Sequence, residues 1–172
     1  MFTRGLVFLA LFLSTPALAA TGAQVATVDI DDSDTVTALA ANLAGRTFDH
    51  VLINAGITGG RADTASTVSR DAMTQLFWTN AIAPIRAGRI LLPLVKEGGS
   101  IGFMTSILGS VGGRTHGYAE LYSASKAALN MLIRTFSIEL RQRNPQALCV
   151  GLHPGTVDTA LRGGLQRFLG HS

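Results

Sequence analysis

Four short runs rich in apolar and β-branched residues, Gln24 to Ile30, His50 to Asn54, Ser100 to Thr105 and Ala147 to His153, alternate with longer segments of helical period. Each run closes on a polar or glycine-bearing turn. That alternation predicts an α/β fold, a parallel sheet covered by helices whose strands are buried on both faces. Helices are predicted from about Thr35 to Ala44, Asp71 to Val95 and Tyr118 to Arg143. Ser33 or Asp34 suits the cap of the first, and Asn144-Pro145 stops the last. Pro84 lies inside the second and removes an amide donor there, which predicts a kink or break nearby.

Composition narrows the functional classes. At 172 residues, 47% hydrophobic and 15% charged, the chain suits about one compact domain and not a disordered one. The net charge of +3 is spread over single basic residues (Arg46, Arg61, Arg70, Arg86, Arg89, Lys96) without a stripe, which disfavours a nucleic-acid partner. One cysteine, Cys149, makes no internal disulfide. The four histidines, His50, His116, His153 and His171, lack ligand-spaced neighbours, so no metal site is expected.

Residues 1–20 carry Arg4, an apolar run from Leu6 to Leu13, and a small-residue ending at Ala17-Leu18-Ala19. This is the three-part pattern of a secretory leader, which suggests export or membrane association, with membrane contact through this segment alone. A buried strand or helix of the domain is the other use of the same run. Residues 21–172 then form the domain proper.

Ligands of open α/β sheets gather beyond the carboxyl ends of the strands. Those ends carry Asp29, Asn54-Ala55-Gly56, Thr105-Ser106 and His153-Pro154-Gly155-Thr156. In the third helix, Tyr122 and Lys126 are four residues apart and share one face. A phenol has a pKa near 10, and a fixed positive charge nearby lowers the barrier to its proton exchange. Reducing a carbonyl needs such a donor, because the nascent alkoxide must receive a proton. His153 reads as a strand-end residue without a task, Cys149 as a small core residue, and Phe77 and Trp78 as packing groups.

Asn54-Ala55-Gly56, Asn80, Ser106, Tyr122-Ser-Ala-Ser-Lys126 and Pro154-Gly155 occur in the order and approximate spacing of the short-chain dehydrogenase/reductase family. The resemblance runs from about Gln24 to about Leu161. Ser125 to Met131 and Leu152 to Thr159 look most like the branch of C-factor and the sniffer-type carbonyl reductases. It implies a doubly wound Rossmann-like parallel sheet with helices on both faces, and hydride transfer between a nicotinamide dinucleotide and a small carbonyl or alcohol. NADP(H) is favoured over NAD(H) by that branch, and a cytoplasmic setting is typical of the family.

The resemblance also assigns roles. Tyr122 is the general acid in reduction, Ser106 a donor to the substrate oxygen, and Lys126 the holder of the ribose hydroxyls. Asn80, four residues before Pro84, joins a proton relay through a water to Lys126. Asp29 and Ile30 stand beside the adenine, Asn54, Ala55 and Gly56 along the adenosine. Pro154, Gly155, Thr156 and Val157 touch the carboxamide, and Thr159 stands near the diphosphate.

Departures from the family pattern matter as much. The sequence holds no Thr-Gly-x-x-x-Gly-x-Gly turn, so it reads as a truncated core lacking the first βαβ unit and the last strand. In the family strand order 3-2-1-4-5-6, a gap would then open between Gln24–Ile30 and His50–Asn54. Either Gln24–Ile30 moves over to pair with His50–Asn54, or the apolar Leu6 to Leu13 run fills the gap. A second function stays open, a non-catalytic polypeptide acting through protein contacts or signalling. Helices 71–95 and 118–143 resemble those of the family's dimer interface, which suggests a homodimer.

Overall fold

The structure is a computed structural model that describes residues 23–60 and 63–155, together with the backbone of 6–10. Four parallel strands form one sheet in the order β1 (Leu6–Ala10), β2 (Phe48–Asn54), β3 (Val95–Met104), β4 (Leu148–Leu152). β1 runs beside β2 from Leu6 opposite His50 to Ala10 opposite Asn54. The apolar run at the start of the chain therefore fills the gap, in the place the family order gives its first strand.

The expected strand at Gln24 to Ile30 does not form. Its residues have no regular structure up to the turn at Ile30, and 23–27 are exposed. The place beside β2 is taken by β1, so pairing with His50–Asn54 is closed to this run. What remains of the run is an anchor: Ile30, 3% exposed, enters the core, with Val28 partly buried beside it.

Helix α1 (Ser33–Asn42) is capped one residue earlier than expected. The Asp32 carboxylate accepts from the Asp34 backbone N–H at 2.9 Å, and Val36 enters the core. The long second helix is interrupted as Pro84 requires. Helix α2 (Arg70–Phe77) passes into a π-helical turn at Trp78–Ile82 and then into α3 (Ala83–Leu91). Ala83 N–H reaches back five residues to the Trp78 carbonyl. Pro84 has no N–H to give the Asn80 carbonyl, four residues before it, and a one-turn widening accommodates the loss.

Helix α4 (Glu120–Arg143) lies over the sheet and ends at Asn144, whose N–H donates to the Leu140 carbonyl at 2.7 Å. Leu129, Ile133, Phe136 and Leu140 recur on one face and are buried against Ile101 and Phe103 of β3. Phe136 meets Phe103 edge to face, 5.4 Å between ring centroids. Each such side chain contributes about 1.5–3 kcal/mol relative to an exposed one. On α3, Gly88 admits the Phe103 ring, which a Cβ there would approach to 2.7 Å. On the opposite face of the sheet Leu148 and Leu152 are exposed. Among the described residues no helix is long and apolar enough to cross a membrane.

Candidate active site at the carboxyl ends of the strands

Parallel pairing brings the ends of β2, β3 and β4 to one edge of the sheet. Beyond β3, Ser106 opens a short 3-10 turn at Ile107–Gly109, its Oγ accepting from the Leu108 N–H at 3.2 Å. That turn rests on the α4 backbone: a Cβ on Gly109 would stand 2.7 Å from the Lys126 carbonyl carbon. Asn130 ties the same elements, accepting from the Thr105 hydroxyl at 2.6 Å and donating to the Gly109 carbonyl at 3.2 Å. Ser106 is thereby placed against α4, and its side chain is hydrogen-bonded to that of Tyr122.

Lys126 lies one turn further along, its Nζ 5.9 Å from the centre of the Tyr122 ring. Only 3% of this residue is exposed. Among the described residues, one of the three ammonium donors is used, to the Met104 carbonyl at 3.0 Å. A buried cation with spare donors is costly, and burial pushes its pKa down to about 8. Tyr122 moves the other way. Burial raises its pKa above the usual 10, and the Ser106 hydrogen bond opposes the rise without cancelling it. The sequence suggested a phenol made more acidic by the ammonium. Burial dominates instead, and the phenol stays protonated at neutral pH.

Asn80 is fully buried on the π-helical turn, and its side chain acts as a three-way bolt. Its Oδ1 accepts from the Ile57 N–H at 2.8 Å. Its Nδ2 donates to the Ile57 carbonyl at 2.8 Å and to Ser125 Oγ at 2.9 Å. Ser125, also fully buried, donates its hydroxyl hydrogen bond to the Tyr122 carbonyl at 2.7 Å. The amide is thus spent on structure, and Pro84 offers no N–H to the Asn80 backbone carbonyl. Gly56 closes this corner, since a Cβ there would stand 3.2 Å from Asn80 Oδ1 and 3.3 Å from Lys126 Nζ.

The remaining candidates are spread along the edge. Asn54 is half-buried and Ala55 buried, immediately before Gly56. Asp29 is exposed; its Oδ1 accepts from the Asp31 N–H at 3.0 Å. The Ile30 side chain is buried in the core. Pro154 and Gly155 are exposed, with Gly155 at φ +74°. Thr156, Val157 and Thr159 lie outside the described residues. Ser125 escaped the sequence reading, although it sits inside the Tyr-Ser-Ala-Ser-Lys segment. Its partner Asn80 is 45 residues away, so spacing offered no signal.

Known proteins similar to this chain identify its family. The profile of the enoyl-(acyl carrier protein) reductase family matches residues 13–170. C-signal of Myxococcus xanthus is 35% identical over 133 residues, 73% of this chain and 75% of its own. A 1-hydroxy-2-glutathionyl-2-methyl-3-butene dehydrogenase of Rhodococcus sp. (strain AD45) is 35% identical over 147 residues, 84% of this chain and 63% of that enzyme. A short-chain dehydrogenase/reductase of Burkholderia multivorans with bound NADP superimposes with a TM-score of 0.84 at 30% identity, covering 92% of this chain and 82% of that one. With the profile spanning nearly the whole sequence, the chain belongs to the short-chain dehydrogenase/reductase family.

Proposed function

We propose that this chain reduces a small apolar carbonyl compound, and oxidises the corresponding alcohol, with NADP(H) as the hydride carrier. The observation that carries the reading is the buried Lys126 ammonium with donors to spare, one turn from a phenol hydrogen-bonded to Ser106. The residues fit a nicotinamide ribose there, because its two hydroxyls would give the ammonium the acceptors it lacks. When bound, the reduced nicotinamide supplies a hydride to the carbonyl carbon.

The chain's own residues handle the oxygen. Ser106 donates a hydrogen bond to it and stabilises the charge that develops. Tyr122 gives it the phenolic proton, for which a protonated phenol at neutral pH is the right starting state. Lys126 stabilises the resulting phenolate and returns a proton to it, and a water held by the Asn80 carbonyl restores the proton to the amine. Asp29 and the Asn54-Ala55-Gly56 backbone would line the adenosine, and Pro154 to Val157 the carboxamide, with Thr159 near the diphosphate.

A titration of NADPH followed by its fluorescence tests this. Saturable binding that weakens in Lys126→Met supports the reading, and no saturable binding up to millimolar cofactor ends it. One observation favours a second reading, a non-catalytic polypeptide acting through protein contacts or signalling: one relative, 35% identical, bears the name C-signal. That reading gains if the chain self-associates yet ignores cofactor. A homodimer through the second and third helical segments has support in the exposed Met131 and Ile138 of α4, and sedimentation at micromolar protein tests it.

A further inference from the structure

Asp31 is a partly buried carboxylate that the proposed chemistry does not use. Its Oδ2 accepts from Thr79 Oγ1 at 2.7 Å and from Gln75 Nε2 at 2.8 Å. Gln75 Nε2 also donates to Thr79 Oγ1 at 2.9 Å. The Asp31 carbonyl accepts from Trp78 Nε1 at 3.4 Å, and its N–H donates to Asp29 Oδ1 at 3.0 Å. Among the described residues Asp31 Oδ1 is buried without a hydrogen-bond partner. Three successive contacts therefore go from one residue to α2 and the π-helical turn, and a fourth goes to the exposed Asp29.

Thr79, 1% exposed, is the residue before Asn80. A π-helical turn is a weak point in a helix, and its position is set by whatever grips it from outside. Asp31 grips it from the loop that carries Asp29. A half-satisfied buried carboxylate is not a device for stability, since an apolar contact would hold the loop at less cost. What the carboxylate provides is a fixed geometry between two parts of the edge that are otherwise 48 residues apart in sequence.

We infer that Asp31 is a positioning residue, which sets the Asn80 bolt and the Asp29 loop in one register so that the adenosine end and the reactive end of a dinucleotide are met together. The inference rests on the proposed cofactor reading for its purpose, but the mechanical link is a property of the protein alone.

Amide hydrogen exchange of the unliganded chain reads that link directly. The Ile57 N–H, held by Asn80 Oδ1, exchanges about tenfold faster or more in Asp31→Ala, while core amides of Ile101 and Phe103 keep their rates. Asp31→Asn, which keeps one acceptor oxygen for Thr79 and Gln75, restores the wild-type rate. Thr79→Val, which removes the donor from the other side, speeds Ile57 as Asp31→Ala does, and the double variant goes no further. Titration of NADPH in the same variants gives at least about tenfold weaker binding for Asp31→Ala and near wild-type binding for Asp31→Asn. Unchanged Ile57 exchange in both Asp31→Ala and Thr79→Val overturns the inference, as does failure of Asp31→Asn to restore it. Should wild-type protein ignore NADPH, the cofactor reading falls, and the exchange rates still decide the role of Asp31.

Discussion

Replacing Lys126 with methionine removes a buried charge and keeps most of the side-chain volume. Burial displaces the Lys126 pKa from 10.5 to about 8, which at about 1.4 kcal/mol per pH unit is a cost of ~3 kcal/mol for carrying the charge in the folded state. Against this, the variant leaves the Met104 carbonyl without the donor it has at 3.0 Å, a loss of about 1.5–3 kcal/mol for a charged hydrogen bond. At pH 7 Lys126→Met is therefore between neutral and ~2 kcal/mol more stable than wild type. The sign of the pH dependence is sharper than the size. The folded amine loses its proton near pH 8 while the unfolded one keeps it to about 10.5, so between those values the unfolded state binds more protons. Wild-type stability then rises with pH relative to the variant, and the variant's advantage shrinks and reverses. Urea unfolding followed by the fluorescence of Trp78, the single tryptophan, at pH 7, 8, 9 and 10 gives the difference directly, and groups common to both proteins cancel. A variant less stable at pH 7 by ~2 kcal/mol, with a difference that does not change with pH, would refute the burial argument.

Three further outcomes follow from packing and burial. Gly88→Ala places a Cβ 2.7 Å from Phe103 Cζ and 2.9 Å from Cε1, so thermal or urea unfolding should show a loss of about 1–3 kcal/mol. Ala119→Gly relieves the left-handed backbone at φ +54° just before α4, and gains up to ~1 kcal/mol in the same assay, with less if the added unfolded-state entropy offsets it. Cys149, whose thiol burial pushes up to about 11, should resist iodoacetamide at pH 8 in native protein and react promptly in urea.

The parts of the fold set by local chemistry were legible in the sequence. Pro84 predicted the interruption of the long helix because a missing N–H has consequences wherever it falls, and Asn144-Pro145 predicted the end of α4 for the same reason. The run from Gln24 to Ile30 was misread because strand propensity says nothing about which segment takes the edge of β2. The rival for that edge, Leu6–Ala10, carries a pattern that also suits a secretory leader. Spacing put Tyr122 and Lys126 on one face, yet it could not show that this face is covered. That covering reverses the expected electrostatics of the phenol. The Asn80 bolt and the Asp31 grip were invisible because every partner is 23 or more residues away.

The central claim is that Tyr122 delivers a proton to a carbonyl oxygen while a hydride reaches the adjoining carbon, and isotope transfer tests it most directly. Protein in excess is mixed with NADPH carrying deuterium at the transferable position and a small apolar ketone, and the alcohol is analysed by mass spectrometry. The account predicts one deuterium in each alcohol formed by wild type, and a transfer rate about 10²–10⁴ lower in Tyr122→Phe at unchanged NADPH affinity. Wild-type protein that binds NADPH without labelling the alcohol, or a Tyr122→Phe variant that labels it as fast, would contradict the account.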